Sequence, residues 1–179
     1  MSGLVEGTAA AGFESVRDLF EQQMRTLAEE NAQLCVYHRG EKVVDLWAST
    51  TRDPAFGPDS LVNVFSSGKS LEAIAIASLV GRGLLRYDAK VSDHWPEFKG
   101  SGKEEVTVAD VMRHEAGLAN FDTPIDVEDL LPESIKANRI GRIIEQQPTR
   151  FRSLAKGRRE YHAVTRGWIA NELFRREDP

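Results

Sequence analysis

The sequence predicts an α/β domain of the α+β kind, an antiparallel sheet flanked by helices. Three observations predict it. Two short apolar or alternating runs, Gln33–His38 and Lys42–Ser49, meet at Arg39-Gly40-Glu41, as in a β-hairpin. From residue 67 onward the apolar residues recur mainly at helical spacing. Glycine and proline separate these segments at Asp53-Pro54, Gly57-Pro58, Gly81, Gly83 and Gly117.

Each element has its own justification. Phe13 to Glu30 carries apolar residues at 13, 16, 19, 20, 24 and 27, with charges on the opposite face, which predicts the first helix. Met1 to Gly12 is small and almost uncharged and carries no predicted element. After the hairpin and a turn-rich loop, Ser67 to Val80 is rich in Ala, Leu and Ile and predicts a buried helix that ends at Gly81 and Gly83. Leu84 to Asp88 opens a connection that includes Trp95-Pro96-Glu97-Phe98 and Gly100–Gly102. Thr107-Val108-Ala109-Asp110 has the form of a capping box, with the helix running to about Glu115. Pro132 to Gln147 predicts a helix with proline in its first turn. Val164 to Arg176 predicts the last one.

Two strands alone are marginal. The sheet's remaining strands are therefore expected outside this chain, and residues 1–179 read as the N-terminal part of a single, incomplete domain.

Composition narrows the function classes. A net charge of −5 gives no support for nucleic-acid binding, which leaves a basic footprint. Arg150, Arg152, Lys156, Arg158, Arg159, Arg175 and Arg176 cluster late, and acidic residues offset them, as on a solvated face. Cys35 is the single cysteine, so no internal disulfide forms, and its apolar run reads as buried. No apolar run reaches the roughly 18 residues of a membrane span. The N-terminus lacks the pattern of a secretory signal. The expectation is a soluble, cytoplasmic protein with no cofactor. His38, His94 and His162 have no metal-ligand spacing with one another or with Cys35.

Chemistry concentrates in Val64-Phe65-Ser66-Ser67-Gly68-Lys69-Ser70-Leu71. Gly68-Lys69-Ser70 could end a phosphate-binding loop, but the pattern needs glycine at position 63 and finds Asn63. Asp45, the acidic residue on hand for a metal, precedes the loop instead of following it. The other reading is Ser-x-x-Lys, and Ser66 is the serine with a lysine three positions on. A serine hydroxyl needs a base within hydrogen-bond reach, and a lysine one turn along the same face can supply it. Helix N-terminal N–H groups nearby can hold an oxyanion. The helix dipole and burial would both favour a neutral amine at Lys69. Tyr161, just ahead of the last helix, is a candidate proton acceptor or donor beside it.

In order and spacing, these landmarks resemble the serine β-lactamase-related family, which includes class C β-lactamases, low-molecular-weight penicillin-binding proteins, family VIII carboxylesterases and animal β-lactamase-domain proteins. The resemblance covers nearly the whole chain. It rests on Val64-Phe65-Ser66-Ser67-Gly68-Lys69, Gly83-Leu84-Leu85, Tyr87-Asp88, Val91, Trp95-Pro96-Glu97-Phe98, Thr107 to Leu118, and Tyr161 to Trp168.

The resemblance implies a β-lactamase/penicillin-binding-protein-like fold, with Ser66 as nucleophile, Lys69 as its activating partner, and Tyr161 as the tyrosine of a Tyr-x-Asn-type motif. Ala163 stands where that motif has Asn, which favours an ester or relaxed acyl substrate over a β-lactam. The family's third motif, Lys-Thr-Gly or a Trp/His-x-Gly equivalent, is expected beyond residue 179. His114 is expected to pack or hydrogen-bond, not to act as a base. The reading is a serine hydrolase that forms an acyl-enzyme with a small-molecule ester or acyl substrate. The alternatives are a non-catalytic scaffold of the same fold and, less favoured, a nucleotide-binding loop. Substrate identity and oligomeric state stay open.

Overall fold

The structure is a computed structural model that describes residues 4–151 and 158–178. Its contacts divide the chain into two compact units, residues 1–63 and 64–179.

The first unit is a three-stranded antiparallel sheet with one helix. Its elements are β1 (Val5–Ala9), α1 (Glu14–Thr26), β2 (Asn31–His38) and β3 (Glu41–Ser49), with strand order β1-β3-β2. The predicted hairpin is present. Arg39 and Gly40 both have positive φ (51° and 85°), as a two-residue turn that matches the strand twist requires, and His38 pairs with Glu41. Strand β1 is a correction, because Met1 to Gly12 carried no predicted element. Val5-Glu6-Gly7-Thr8-Ala9 is short and has glycine at its centre. It is held by its ladder to β3 and by Arg17, whose guanidinium donates to the Val5 and Gly7 carbonyls at 2.7 and 2.9 Å. Gly7 is obligatory there: its φ is 98°, and a Cβ would lie 2.0 Å from the Asp45 carbonyl oxygen.

Helix α1 is shorter than the predicted Phe13–Glu30. Phe20 and Met24 enter the unit's core with Val5, Val44, Leu46 and Ala48, while Leu19 and Leu27 stay exposed. Cys35 is exposed, contrary to the expectation of burial. Strand alternation explains it: Leu34 and Val36 turn toward the core, so Cys35 between them faces the other way.

The second unit is helical. A 3-10 turn at Phe65–Gly68 leads into α2 (Lys69–Gly81), followed by α3 (Val91–His94), α4 (Val108–Met112), α5 (Pro132–Lys136), α6 (Arg139–Gln146) and α7 (Thr165–Glu177). Its core gathers Leu79, Leu85, Trp95, Phe98, Leu118, Ile144, Ile169 and Leu173, all essentially inaccessible to solvent. Burial of each such side chain contributes about 1.5–3 kcal/mol.

Helix α2 departs from the expectation of a buried helix. It packs against α7 along one side, where Ile76 and Leu79 are buried. On other faces Leu71 and Ile74 are 68% and 64% exposed. The capping box at α4 is present. The Thr107 hydroxyl accepts from the Asp110 N–H at 3.1 Å, and the Asp110 carboxylate accepts from the Thr107 N–H at 2.9 Å. The predicted helix from Pro132 to Gln147 is two helices. Asn138 takes a left-handed conformation (φ 52°), a geometry asparagine tolerates better than most residues, and this separates α5 from α6.

Lys103 is fully buried, and its ammonium donates to the Glu145 and Gln147 carbonyls at the end of α6. Most of the late basic residues pair with acids, Arg159 with Glu115, Arg150 with Asp122 and Glu160, and Arg175 and Arg176 with Glu172, while Arg158 lies over the Phe151 ring. Arg152 and Lys156 lie outside the described residues. Among the described residues no helix is long and apolar enough to cross a membrane.

Candidate active site

The three residues singled out in the sequence come together in the second unit. Ser66 lies in the 3-10 turn and Lys69 is the first residue of α2, so the two project from adjoining turns of one winding segment. Lys69 Nζ donates to Ser66 Oγ at 3.3 Å. It also donates to the Ala163 carbonyl at 2.6 Å, which ties the start of α2 to the segment ahead of α7. Tyr161, in that same segment, hydrogen-bonds Ser66 and Lys69 through its hydroxyl. The lysine Nζ is 5.3 Å from the centre of the tyrosine ring.

The electrostatics of this cluster point one way. The Tyr161 phenol is held below its ordinary value of 10, first by its hydrogen bond with Ser66; desolvation, the next largest effect, opposes this, and Lys69 and then the charge of Arg166 lower it further. Tyr161 is about half exposed (54%), Ser66 is exposed and Lys69 half-buried, so the cluster opens to solvent. The burial foreseen for Lys69 is thus partial. Phe65, immediately before Ser66, has a φ of 45°, a left-handed conformation that is rare for a bulky residue and is found preferentially at functional positions. Gly68 has ordinary right-handed helical angles (φ −61°, ψ −16°), so this segment is a tight helical turn.

Four residues around the trio were not found by sequence reasoning as part of one network: Glu72, His114, His162 and Arg166. Arg166, in the first turn of α7, is buried and sends its guanidinium across to α2. Nε donates to Glu72 Oε2 at 3.0 Å, and the terminal nitrogens donate to the Lys69 carbonyl at 2.7 Å and the Met112 carbonyl at 3.4 Å.

His162 is fully buried. Its Nε2 accepts from the Leu118 N–H at 3.1 Å, so its Nδ1 carries the hydrogen and donates to the Glu160 carbonyl at 2.6 Å. His114 Nδ1 accepts from the His162 N–H at 3.0 Å, and the His114 ring lies 4.9 Å from that of Tyr161. An imidazole that accepts at Nδ1 carries its hydrogen on Nε2, which faces the Arg166 guanidinium at 3.3 Å. Burial, then the charges of Arg166, His162 and Lys69, push the His114 pKa down to about 4, with Glu72 opposing. His114 is therefore neutral at pH 7, and it packs and hydrogen-bonds as expected. No sequence signal joins these residues, because they lie on separate segments that only the tertiary fold brings together.

The remaining histidines sit elsewhere. His94 Nδ1 contacts Glu177 at 2.8 Å, and His38 lies against Phe13. Among the described residues no group of three or more His, Cys, Asp or Glu side chains is placed to hold a metal ion.

Known proteins resemble this chain in sequence and in fold. The chain is 37% identical, over 145 residues, to the esterase/beta-lactamase LipL of Mycobacterium tuberculosis, a match that covers 79% of this chain and 32% of that protein. Its fold superposes with a TM-score of 0.85 on a penicillin-binding protein homolog from Caulobacter crescentus, at 35% identity, covering 97% of this chain and 46% of that one. A family VIII carboxylesterase superposes with a TM-score of 0.82 at 33% identity, covering 96% of this chain and 46% of its own. The chain thus spans about a third of the length of the curated relative and just under half of these two solved structures. These neighbours share a β-lactamase/penicillin-binding-protein-like fold, and this chain contributes the helices and small antiparallel sheet described above. The beta-lactamase family model matches residues 16–178, and the chain belongs to that family.

Proposed function

We propose that this chain carries the nucleophilic side of a serine hydrolase that acts on esters or related acyl substrates through an acyl-enzyme. The observation that carries the reading is the cluster in which Ser66 Oγ accepts from Lys69 and shares a hydrogen bond with the Tyr161 hydroxyl. Kinship with an esterase/beta-lactamase and a family VIII carboxylesterase supports the substrate class.

The roles follow from donors and acceptors. Lys69 donates to both Ser66 and Ala163, so the acceptor left for the serine proton is the Tyr161 oxygen. Lys69 and Arg166 both favour the phenolate that would take that proton. Ser66 Oγ attacks the acyl carbon while its proton passes to Tyr161. The tetrahedral adduct then collapses, the C–O bond to the leaving alcohol breaks, and Tyr161 returns the proton to that alcohol. Water repeats the sequence on the acyl-enzyme, releasing the acid and restoring Ser66. The backbone N–H of Ser66, at the start of the helical segment, is the proposed donor to the oxyanion.

Ala163 supports an ester over a β-lactam. Its methyl offers no amide-binding group, and its carbonyl is already engaged by Lys69. The test is hydrolysis of p-nitrophenyl acetate and butyrate by the full-length natural protein and its Ser66→Ala variant. Turnover that the variant abolishes is expected. A folded protein with no turnover supports a non-catalytic scaffold instead, and turnover unaffected by Ser66→Ala overturns the role of Ser66.

A further inference from the structure

We propose that Arg166 is a positioning residue for the Ser66, Lys69 and Tyr161 cluster, its planar guanidinium locking the first turn of α2 to the segment that presents Tyr161. The catalytic consequence rests on the hydrolase reading above; the structural consequence does not.

The geometry makes the case. Trio members come from two places far apart in sequence, residues 66–69 and residue 161. Lys69 bridges them through its side chain, by its bond to the Ala163 carbonyl. That contact depends on the Lys69 main chain staying in place, and Arg166 holds this main chain by its carbonyl at 2.7 Å. The same guanidinium grips α2 a second time through Glu72 at 3.0 Å and reaches the end of α4 at Met112. Beyond Met112, His114 accepts the His162 N–H and packs on the Tyr161 ring. Arg166 therefore touches both routes by which Tyr161 is fixed.

Only a planar fork with several fixed donors serves three partners at once, and a lysine there could not. The surroundings are fitted to it. Gly167 leaves room for the partner carboxylate, since a Cβ at that position would lie 3.0 Å from Glu72 Oε1. A buried guanidinium without Glu72 would carry an uncompensated charge. That charge is also one of the influences that keep the Tyr161 phenol below its ordinary value.

The experiment uses the full-length natural protein with Arg166→Met, Arg166→Lys and Glu72→Gln. Two readouts separate positioning from plain stability. The first is kcat and KM for a p-nitrophenyl ester. A reacting group misplaced by about 1 Å costs about 10²-fold, so Arg166→Met is expected to lower kcat by about that factor with KM nearly unchanged. The second is the titration of Tyr161 itself, followed by the ¹³Cζ signal of labelled tyrosine. Tyr161→Phe assigns the signal by its loss. Arg166→Met is expected to raise the Tyr161 midpoint, and Arg166→Lys to restore that midpoint without restoring kcat.

A folded Arg166→Met variant with wild-type kcat and wild-type Tyr161 titration overturns the proposal. If Arg166→Met does not fold, Glu72→Gln decides. A lowered kcat with a lowered Tyr161 midpoint upholds the proposal, and no change in either overturns it. If the wild-type protein hydrolyses no ester, the hydrolase reading fails, and the Tyr161 titration alone then upholds or overturns the positioning role.

Discussion

His114 makes stability depend on pH in a way that one substitution can isolate. Its folded pKa of about 4 lies below its ordinary value of 6.5. Burial is the first cause, followed by Arg166, His162 and Lys69, with Glu72 opposing. Between the two values the unfolded chain binds a proton that the folded chain refuses. The stabilisation is therefore fully present above about pH 6.5 and is lost as pH falls toward 4. At about 1.36 kcal/mol per pH unit the full gap is worth about 3.4 kcal/mol. The ring is only half-buried, and solvent screening reduces this to about 1–2 kcal/mol. Lowering the pH from 7.5 to 5 captures rather more than half of it, about 1 kcal/mol.

The perturbation is His114→Asn. An asparagine oxygen can take the place of Nδ1 as acceptor for the His162 N–H, and asparagine tolerates the positive φ of 64° at this position. It does not titrate. The assay is urea unfolding of wild type and variant at pH 7.5, 6 and 5. His162, also depressed by burial, adds pH dependence of the same sign to both proteins. The difference between the proteins therefore reports His114 together with its coupling to His162. The variant is expected to lose about 1 kcal/mol less than wild type over this range. Equal losses in both proteins would refute the reasoning, because the proton refused on folding would then not be that of His114.

Tyr161→Phe removes the proposed proton acceptor and leaves the ring contact with His114. We expect kcat for ester hydrolysis to fall by about 10²-fold or more with little change in KM, measured by steady-state kinetics. In wild type, kcat should rise with pH through a midpoint below 10, and the variant should lose that limb. Thr107→Ala removes the side-chain half of the capping box, so the Asp110 N–H loses its acceptor. Urea unfolding should show a loss of about 1 kcal/mol with no change in the m-value.

The hairpin, the start of α7, the capping box and the Ser66–Lys69 pair were all legible in the sequence, because each is written in neighbouring residues. Strand β1 was not. Gly7 and Ala9 are weak strand formers, and the segment is a strand because β3 and Arg17 receive it. The break at Asn138 turns on one residue taking a left-handed conformation inside an otherwise continuous helical pattern. Cys35 is exposed although its run is apolar, because a strand has two sides and composition alone does not say which one a residue takes. At the site, Tyr161 could be matched to Ser66 by motif order. The bond from Lys69 to Ala163, the Arg166 fork and the paired tautomers of His114 and His162 depend on segments that meet only after folding.

The nucleophilic role of Ser66 is tested most directly by treating the folded full-length protein with a fluorophosphonate and locating the adduct by peptide mass spectrometry. The account predicts a stoichiometric adduct on Ser66, absent in Ser66→Ala and slowed in Tyr161→Phe. An unlabelled folded protein, or an adduct on another residue with Ser66 free, would contradict it.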